Sequence, residues 1–416
     1  MSDQSKSGPG AIAPRPSIGL VVGILVLASS VSIMSTDMYT PSLPDLAIWF
    51  DTTPTHVKLT ISLNMLAFGL AQLIHGPLSD RFGRRPVMMC SLVSVAVLCL
   101  ACAAAQSIDQ LIAARVLLGF AAGAEAVVGL AIIKDLYSEK EQVKALALLG
   151  MVIAVAPAIA PILGGYIHVA FGWQANFFVI ALMSLLAVAF VARLLPESTQ
   201  ADPEALQPTV VFNGYRGLLG NSDFLTHTAM LGVALGLVFV FVTGAPFVLM
   251  DLMGVPADEF GYYQAGIVVA FFLGSVLASR LADHWQASSL LTLGVTLVGG
   301  GAVTLTLVVM LGVASPVTLT AAYSVMTFGM GPLFAVAPSR ALRSIQGQAG
   351  TASAMLSGIE QCMAGMAAVM ISLLNDGTAR PMAIMCMVLA VLLILLFTRS
   401  RAEDRLREQA LVGMRL

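Results

Sequence analysis

The chain carries the segment GPLSDRFGRRP at residues 76–86, between two long apolar runs. Gly76 permits the close approach of another helix. Asp80 and Arg84 are four residues apart, the spacing of neighbours on one helix face, so Asp80 can accept hydrogen bonds from Arg84 or from a neighbouring helix N-terminus. Arg81 and Arg84 are suited to anchor the segment at an anionic membrane surface. The segment therefore predicts a short cytoplasmic turn between two membrane spans.

Composition places the rest of the chain in the membrane. Of its 416 residues, 58% are hydrophobic and 11% are charged, whereas soluble proteins carry about 25% charged residues. One crossing of the hydrocarbon core takes about 20 apolar residues, so this length allows roughly a dozen spans. Apolar runs bounded by Pro, Gly and charge predict twelve, beginning near Ser17, Val57, Val87, Gln110, Val143, Gln174, Phe224, Gly261, Ser288, Pro316, Ala349 and Arg380. We therefore expect an all-α membrane protein.

Several other functional classes are disfavoured. The net charge of −2 offers no basic surface for nucleic acid. All five cysteines fall within apolar runs, which favours packing over a disulfide framework or a metal site. The sequence contains no phosphate-binding glycine motif of the P-loop type. We therefore expect no cofactor, no metal, no nucleic-acid partner and no enzymatic activity.

The basic residues predict the orientation of the spans. If both termini are cytoplasmic, the 21 Lys and Arg residues all lie on the cytoplasmic side except Lys58 and Arg380, outside, and Arg115, within the fourth span. Cytoplasmic loops carry such an excess of basic residues. The sequence thus predicts a multi-pass protein with its N- and C-termini in the cytoplasm.

The longest polar stretch, residues 196–223, divides the chain into two halves. The Gly- and Arg-containing turn after the second span has a degenerate counterpart after the eighth, at Gly274 and Arg280. Internal repeats of this kind occur in transporters with a site between the repeats. The predicted organisation is a cytoplasmic tail (1–16), a six-helix bundle (17–195), a cytoplasmic linker (196–223), a second six-helix bundle (224–398) and a cytoplasmic tail (399–416).

Two ionisable residues lie at similar depth within the predicted spans. An ionised side chain at a helix centre costs about 2.5 kcal/mol or more on insertion scales, so such residues are functional candidates. Asp37 lies about 30 Å along the first helix from Ser17, and Arg115 lies just inside the outer end of the fourth span. The two become neighbours if these helices pack together. Alternatively, Asp37 is a hydrated helix-end residue and Arg115 only binds backbone carbonyls.

Two further acids lie deeper in the spans. Glu360 shares a helical stripe with Ser357 and Ala364 near the middle of the eleventh span, a small polar face suited to lining a cavity. Glu125 lies about 15 Å along the helix axis from Arg115 and about 80° around it, so these two do not pair directly. The alternative for both acids is that they stay protonated and meet Ser or backbone partners.

Several motifs resemble those of one transporter family. The segment at 76–86 closely resembles the signature between helices two and three of the major facilitator superfamily. Other strings resemble the Bcr/CflA-type drug:proton antiporters of bacterial inner membranes, namely TDMYTPSLP (36–44), RVLLGFAA (115–122), KDLY (134–137), FGYY (260–263) and GTAS (350–353). The resemblance covers about residues 17–399. It implies the major facilitator fold, with twelve helices in two pseudo-symmetric six-helix bundles in the inner membrane.

The resemblance also implies roles for individual residues. Asp37 corresponds to the membrane-embedded acid of the first helix, and Arg115 to the helix-four arginine linked to proton coupling. Asp80 and Arg84 correspond to a pair that stabilises a gate.

The fifth span reads GMVIAVAPAIAPILGG at residues 150–165 and resembles the motif of exporters in the superfamily, although Ala160 replaces the expected Gly. Its prolines and glycines allow tight packing and bending, and the alternative is a kinked packing helix. The predicted gating residues are Gly76, Asp80, Arg81, Arg84, Pro157, Pro161, Gly164 and Gly165.

Together these inferences predict efflux of small antimicrobial compounds in exchange for protons, by alternating access. Asp37 and Arg115 are the predicted proton-coupling residues, and the protonation of Asp37 is expected to alternate with drug binding. The predicted substrate-binding residues are Asp37, Tyr39, Glu125 and Glu360. The expected partners are a small-molecule drug, protons and membrane lipids, and the chain is expected to act as a monomer. The alternatives are export of a metabolite such as a sugar or amino acid, and a membrane sensor that does not transport.

Overall fold

Fourteen α-helices make up most of the described chain. The computed structural model describes residues 17–199, 201–203, 205–343, 345 and 349–413. The helices are α1 (Ile18–Asp37), α2 (Leu43–Trp49), α3 (Pro54–Phe82), α4 (Arg84–Ala103), α5 (Ile108–Leu136), α6 (Glu139–Phe171), α7 (Trp173–Leu194), α8 (Pro208–Leu219), α9 (Ser222–Ala245), α10 (Ala257–Leu281), α11 (Ala287–Met310), α12 (Pro316–Arg343), α13 (Ala349–Leu373) and α14 (Arg380–Gly413). A 3-10 turn at Thr40–Ser42 joins α1 to α2, and a π-helical segment at Pro246–Leu252 extends α9.

The predicted number of membrane spans is confirmed. Within the described ranges, 12 helical segments are long and apolar enough to cross a membrane. The first combines α1 with α2, the seventh combines α9 with its π-helical extension, and α8 is not a span. Large apolar side chains such as Val97, Leu182 and Leu395 are more than half exposed on these helices. Lipid tails are as apolar as leucine, so such a surface is stable in a bilayer.

Two glycines let consecutive spans reverse direction within one residue. Gly83 separates α3 from α4 with φ 97°, and Gly172 separates α6 from α7 with φ 84°. A side chain is strained at such positive φ values, which glycine adopts freely. Some other helices begin with a polar cap, as at α5, where the Ser107 hydroxyl accepts a hydrogen bond from the Gln110 amide at 3.3 Å.

The two halves of the chain have separate hydrophobic cores. One core runs from Val21 to Leu195 and also includes Phe247, while the other runs from Leu218 to Phe397. The halves meet chiefly through two pairs of helices, α3 with α13 and α6 with α10. Helices α1–α7 thus form one bundle and α9–α14 the other.

The structure differs from the sequence prediction at the polar segments. Residues 196–223, predicted as a linker, contain the helix α8, whose Tyr215 hydroxyl donates to the Leu73 carbonyl at 2.9 Å. Helix α14 continues past residue 398 because its polar end is stabilised by contacts such as Arg399 Nε to Glu403 Oε1, 3.2 Å, at i,i+4 spacing. The predicted tail at 1–16 lies outside the described residues.

Candidate functional site

Arg115 is fully buried inside the first half. Its Nη1 donates to the Ser35 carbonyl at 2.6 Å, and its Nε donates to the Thr60 carbonyl at 3.3 Å. The guanidinium carbon lies 4.5 Å from the centre of the Tyr39 ring, within cation–π range. Nη2 has no hydrogen-bond partner among the described residues. Arg115 therefore ties α1, α3 and α5 together, largely through backbone carbonyls.

Asp37 lies at the end of α1, two residues beyond the carbonyl that Arg115 binds. Its side chain is only 7% exposed and interacts electrostatically with Arg115. Arg115 nevertheless makes no ion pair within the part of the chain that the structure describes. The first and fourth spans do pack against each other, so the two residues interact. The Asp37 carboxyl remains outside salt-bridge distance, and its role in proton coupling stays a prediction.

Tyr39 packs against the guanidinium of the same arginine. It is fully buried, its ring centre lies 5.4 Å from that of Phe177, and its hydroxyl bonds the Thr60 hydroxyl. In this conformation Tyr39 shapes the surroundings of Arg115 from within the core, and its predicted role as a substrate contact stays a prediction.

Asn64 belongs to this buried polar group, although the sequence analysis missed it. Its Nδ2 donates to the Arg115 carbonyl at 2.7 Å, and its Oδ1 accepts from the Thr36 hydroxyl at 3.4 Å. Helices α3 and α5 approach so closely here that a Cβ on Gly119 would collide with the Asn64 carbonyl. A polar amide inside an apolar span was the signal that could have revealed it.

Glu125 lies apart from this group. It is fully buried on α5, beside Ser91 of α4 and Ser32 of α1. The Ser91 hydroxyl donates to the Ala121 carbonyl at 2.8 Å and the Ser32 hydroxyl to the Ala122 carbonyl at 3.3 Å, and neither Glu125 carboxyl oxygen has a donor in hydrogen-bond geometry among the described residues. The Glu125 carboxyl is not accessible to a ligand in this conformation. It also does not join the group formed by Asp37 and Arg115.

Glu360 lies on α13, on the side of the helix that packs against α9. On α13, Gly358 packs against Leu73 of α3, and Met363 packs against Gly232 of α9, whereas Met366 is more than half exposed. At 100° per residue, Glu360 lies about 60° around α13 from Met363 and about 120° from Met366, on the side that contacts α9. The Glu360 side chain is half-buried. It makes no ion pair with any described residue.

Gly165 of the fifth span lies where the halves touch. A Cβ on Gly165 would collide with the Ala257 carbonyl of α10, and a Cβ on Gly261 would lie 2.5 Å from the Ile162 backbone. Gly164 instead faces the Met38 carbonyl within the first half. The predicted kinking residues both lie inside α6, Pro157 about two turns and Pro161 about one turn before Gly165.

A second inter-half contact closes the same end of the molecule, which we call the Lys58 end. Lys58 Nζ donates to Asn375 Oδ1 at 2.8 Å and lies 4.7 Å from the centre of the Phe247 ring. One turn along, the Ser62 and Ser372 hydroxyls are 3.3 Å apart. Lys58 is only 3% exposed, so its ammonium is held in the seam between α3, α9 and α13.

The opposite end of α3, which we call the Asp80 end, carries the predicted ion pair. Arg84 Nη1 lies 2.5 Å from Asp80 Oδ1, and Arg84 Nε lies 3.1 Å from Asp135 Oδ2. Arg81 does not join this pair, and its guanidinium carbon lies 6.0 Å from the Phe82 ring centre. Arg84 therefore joins α3, α4 and α5 within the first half.

The linker also reaches the Asp80 end, which the sequence analysis did not predict. Glu197 accepts hydrogen bonds from the backbone amides of Arg84 at 2.9 Å and Arg85 at 3.2 Å, so it caps the first turn of α4. Burial, and secondarily the carboxylate of Asp80, raise the pKa of Tyr215 in α8 above its ordinary value. Its hydroxyl therefore remains a neutral donor to α3. Gly76 lies at this end, where a Cβ would meet Val127 at an ordinary 3.7 Å.

Comparison with known proteins assigns the family. The model of the Major Facilitator Superfamily matches residues 25–369. The chain belongs to this superfamily. The bicyclomycin resistance protein homolog of Haemophilus influenzae is 30% identical over 395 residues, covering 93% of this chain and 97% of the relative. The chloramphenicol resistance protein of Pseudomonas aeruginosa is 28% identical over 393 residues, covering 94% and 92%. These relatives confirm the resemblance to the Bcr/CflA type.

Solved structures agree with this superfamily fold. A bacterial homolog of the human lysosomal transporter Spinster, in an inward-facing and unoccupied conformation, aligns with a TM-score of 0.73. It is 14% identical, and the alignment covers 94% of this chain and 98% of that one. The xylose transporter XylE from E. coli, partially occluded and inward open, gives a TM-score of 0.70 at 13% identity, covering 92% and 97%. This chain is thus a multi-pass bacterial membrane protein of the superfamily.

Proposed function

We propose that this chain is a transporter that exports small antimicrobial compounds across the inner membrane in exchange for protons. Relatives along nearly the whole chain are named for resistance to bicyclomycin and to chloramphenicol, and a third is multidrug resistance protein D of Escherichia coli. The division into two bundles that meet along two helix pairs supports alternating access, in which one bundle rocks against the other.

The Asp80 end is cytoplasmic in this proposal. Arg81, Arg84 and Arg85 cluster there, and positively charged loops face the cytoplasm. The contacts of Lys58 with Asn375 and of Gly165 with Ala257 then close the outer end. In this proposal the conformation described is one whose outer end is closed.

Proton coupling rests on one observation, the arrangement of Asp37 and Arg115. Arg115 binds two backbone carbonyls and interacts with Asp37 electrostatically, without an ion pair. A small change in this separation alters how strongly the arginine favours the charged carboxylate, so a conformational change can load or release a proton. Glu360, half-buried on α13, supplies a second carboxyl for contact with the exported compound.

The test compares accumulation of a fluorescent antimicrobial dye in cells that express the wild-type chain or one of two variants. Dye accumulation should rise when an uncoupler collapses the proton gradient. Asp37→Asn should accumulate dye to the uncoupled level without an uncoupler, because the amide cannot exchange a proton. Asp109→Asn is the matched control, since Asp109 is exposed in the first turn of α5.

Wild-type export by Asp37→Asn would refute the coupling role. Export that is unaffected by the uncoupler would refute proton exchange altogether. A changed pool of intracellular sugars or amino acids with no change in dye accumulation would identify a metabolite exporter instead.

A further inference from the structure

A groove of 510 Å³ opens between α3, α4 and α5, within the first half. Along α4 it extends from Pro86 to Leu98, about 18 Å at the helical rise. Leu70 and Ile74 of α3 and Val97 of α4, on two of the helices that form it, are exposed apolar residues. The groove therefore opens towards lipid. Its volume falls within the range of about 300–1,000 Å³ that is typical of sites for drug-sized ligands.

His75 presents an unpaired acceptor to this groove. Its Nδ1 lies 2.9 Å from the Ala71 carbonyl, which can only accept, so Nδ1 carries the proton. In the neutral ring Nε2 is then an acceptor, and the bond to Ala71 is the one hydrogen bond of this ring among the described residues. His75 is 7% exposed, lines the groove, and packs its ring 5.2 Å from that of Phe120. Nε2 is not among the sealed polar atoms of the structure, so it can be reached from the groove, and a ligand that carries a donor can bond it where lipid tails cannot.

The rest of the lining is mainly apolar. Phe82, Leu117 and Phe120 border the opening and are each at least 40% exposed. The polar exceptions, Ser91 and Ser94, lie on α4. A few polar groups on an apolar wall fix the orientation of a ligand that the wall itself retains.

We propose that this groove binds a lipophilic, drug-sized molecule that carries a hydrogen-bond donor and enters from the bilayer. The donor meets His75 Nε2, and the apolar body lies on Phe82, Leu117 and Phe120. This inference rests on the proposed function, because an exporter of lipophilic compounds encounters them dissolved in the membrane. A lipid acyl chain, the competing occupant, fills the same volume but has no donor for His75.

Cys90 provides the readout, because it lines the groove and is exposed, whereas Cys99, Cys102 and Cys386 are buried. The purified full chain is treated with N-ethylmaleimide, and modification of Cys90 is followed by peptide mass spectrometry. Cys362, outside the groove, serves as the internal reference. The probes are 1-naphthol and naphthalene, which have the same ring system and differ in the donor hydroxyl.

1-Naphthol should slow the modification of Cys90 at a concentration about three- to tenfold lower than naphthalene requires, as one net hydrogen bond allows. His75→Phe should abolish this difference, since it keeps an aromatic ring but removes the acceptor. Leu117→Trp, which fills the groove, should protect Cys90 without any probe.

Equal protection by the two probes in the wild type would overturn the proposal and assign the groove to acyl chains. If 1-naphthol keeps its full advantage over naphthalene in His75→Phe, the probe binds elsewhere and the proposal is overturned. The same holds if 1-naphthol keeps that advantage in Leu117→Trp, provided that this variant unfolds at the wild-type temperature. Because Cys90 protection measures binding without transport, either outcome leaves the uncoupler test of export to stand or fail independently.

Discussion

Replacing Gly165 by alanine should shift the protein away from the state in which the Lys58 end is closed. The added Cβ would lie 3.1 Å from both the Ala257 carbonyl carbon and Asp258 Cα, and closer still to the Ala257 oxygen. These are backbone atoms, so relief requires α6 and α10 to separate. Overpacking costs about 1–3 kcal/mol, which corresponds to a roughly 5- to 140-fold smaller ratio of closed to open molecules. The open state does not bear this cost, because the helices are then apart.

Pulsed electron–electron spin-resonance distances between labels on α6 and α10 at the Lys58 end measure this ratio. Gly150→Ala is the matched control, because Gly150 lies on the same helix as Gly165 and a Cβ there would meet nothing within 4 Å. Gly261→Ala, on the other side of the contact, should repeat the shift to longer distances. If Gly165→Ala folds with a wild-type unfolding temperature and gives the distance distribution of Gly150→Ala, the seam does not limit opening and the reasoning fails.

Three further substitutions test individual contacts. Asn64→Leu removes the 2.7 Å donor to the Arg115 carbonyl and should lower the free energy of unfolding by about 1–3 kcal/mol; an unchanged thermal midpoint in detergent would contradict this. Asn375→Leu leaves the Lys58 ammonium buried without its acceptor, so the same spin-label distances should lengthen. Unaltered distances would mean that the ammonium finds another partner. Arg84→Lys keeps the charge but loses the forked donor that reaches two carboxylates, and should lower the unfolding temperature by a few degrees. A melting curve identical to that of the wild type would show that one donor suffices.

Properties set by neighbouring residues could be predicted from the sequence. The spans follow from uninterrupted apolar runs, and the pairing of Asp80 with Arg84 follows from helical spacing. The depth comparison of Asp37 with Arg115 also succeeded, because rise per residue converts position into height along a helix. Each of these inferences needs only the sequence of one helix, or the fact that all spans cross the same membrane.

Contacts that depend on which helix faces which could not be predicted. Depth alone did not reveal that Glu125 points into the core between α1, α4 and α5, because its azimuth is defined by packing partners distant in sequence. The bond from Lys58 to Asn375 joins residues 317 positions apart. Glu197 looked like one of several linker acids, and only the fold brings it to the first turn of α4.

Contacts within the first half and contacts between the halves have different roles in the transport cycle. Within the first half, a buried arginine, an asparagine and paired carboxylates hold the helices in fixed positions, so this bundle moves as one body. Between the halves, the seam consists of glycine contacts and a few hydrogen bonds. In lipid such surfaces associate without a hydrophobic driving force, so separating them costs little beyond lost packing. A transporter of this kind can therefore be switched by a modest difference in free energy, of the size that one bound compound supplies.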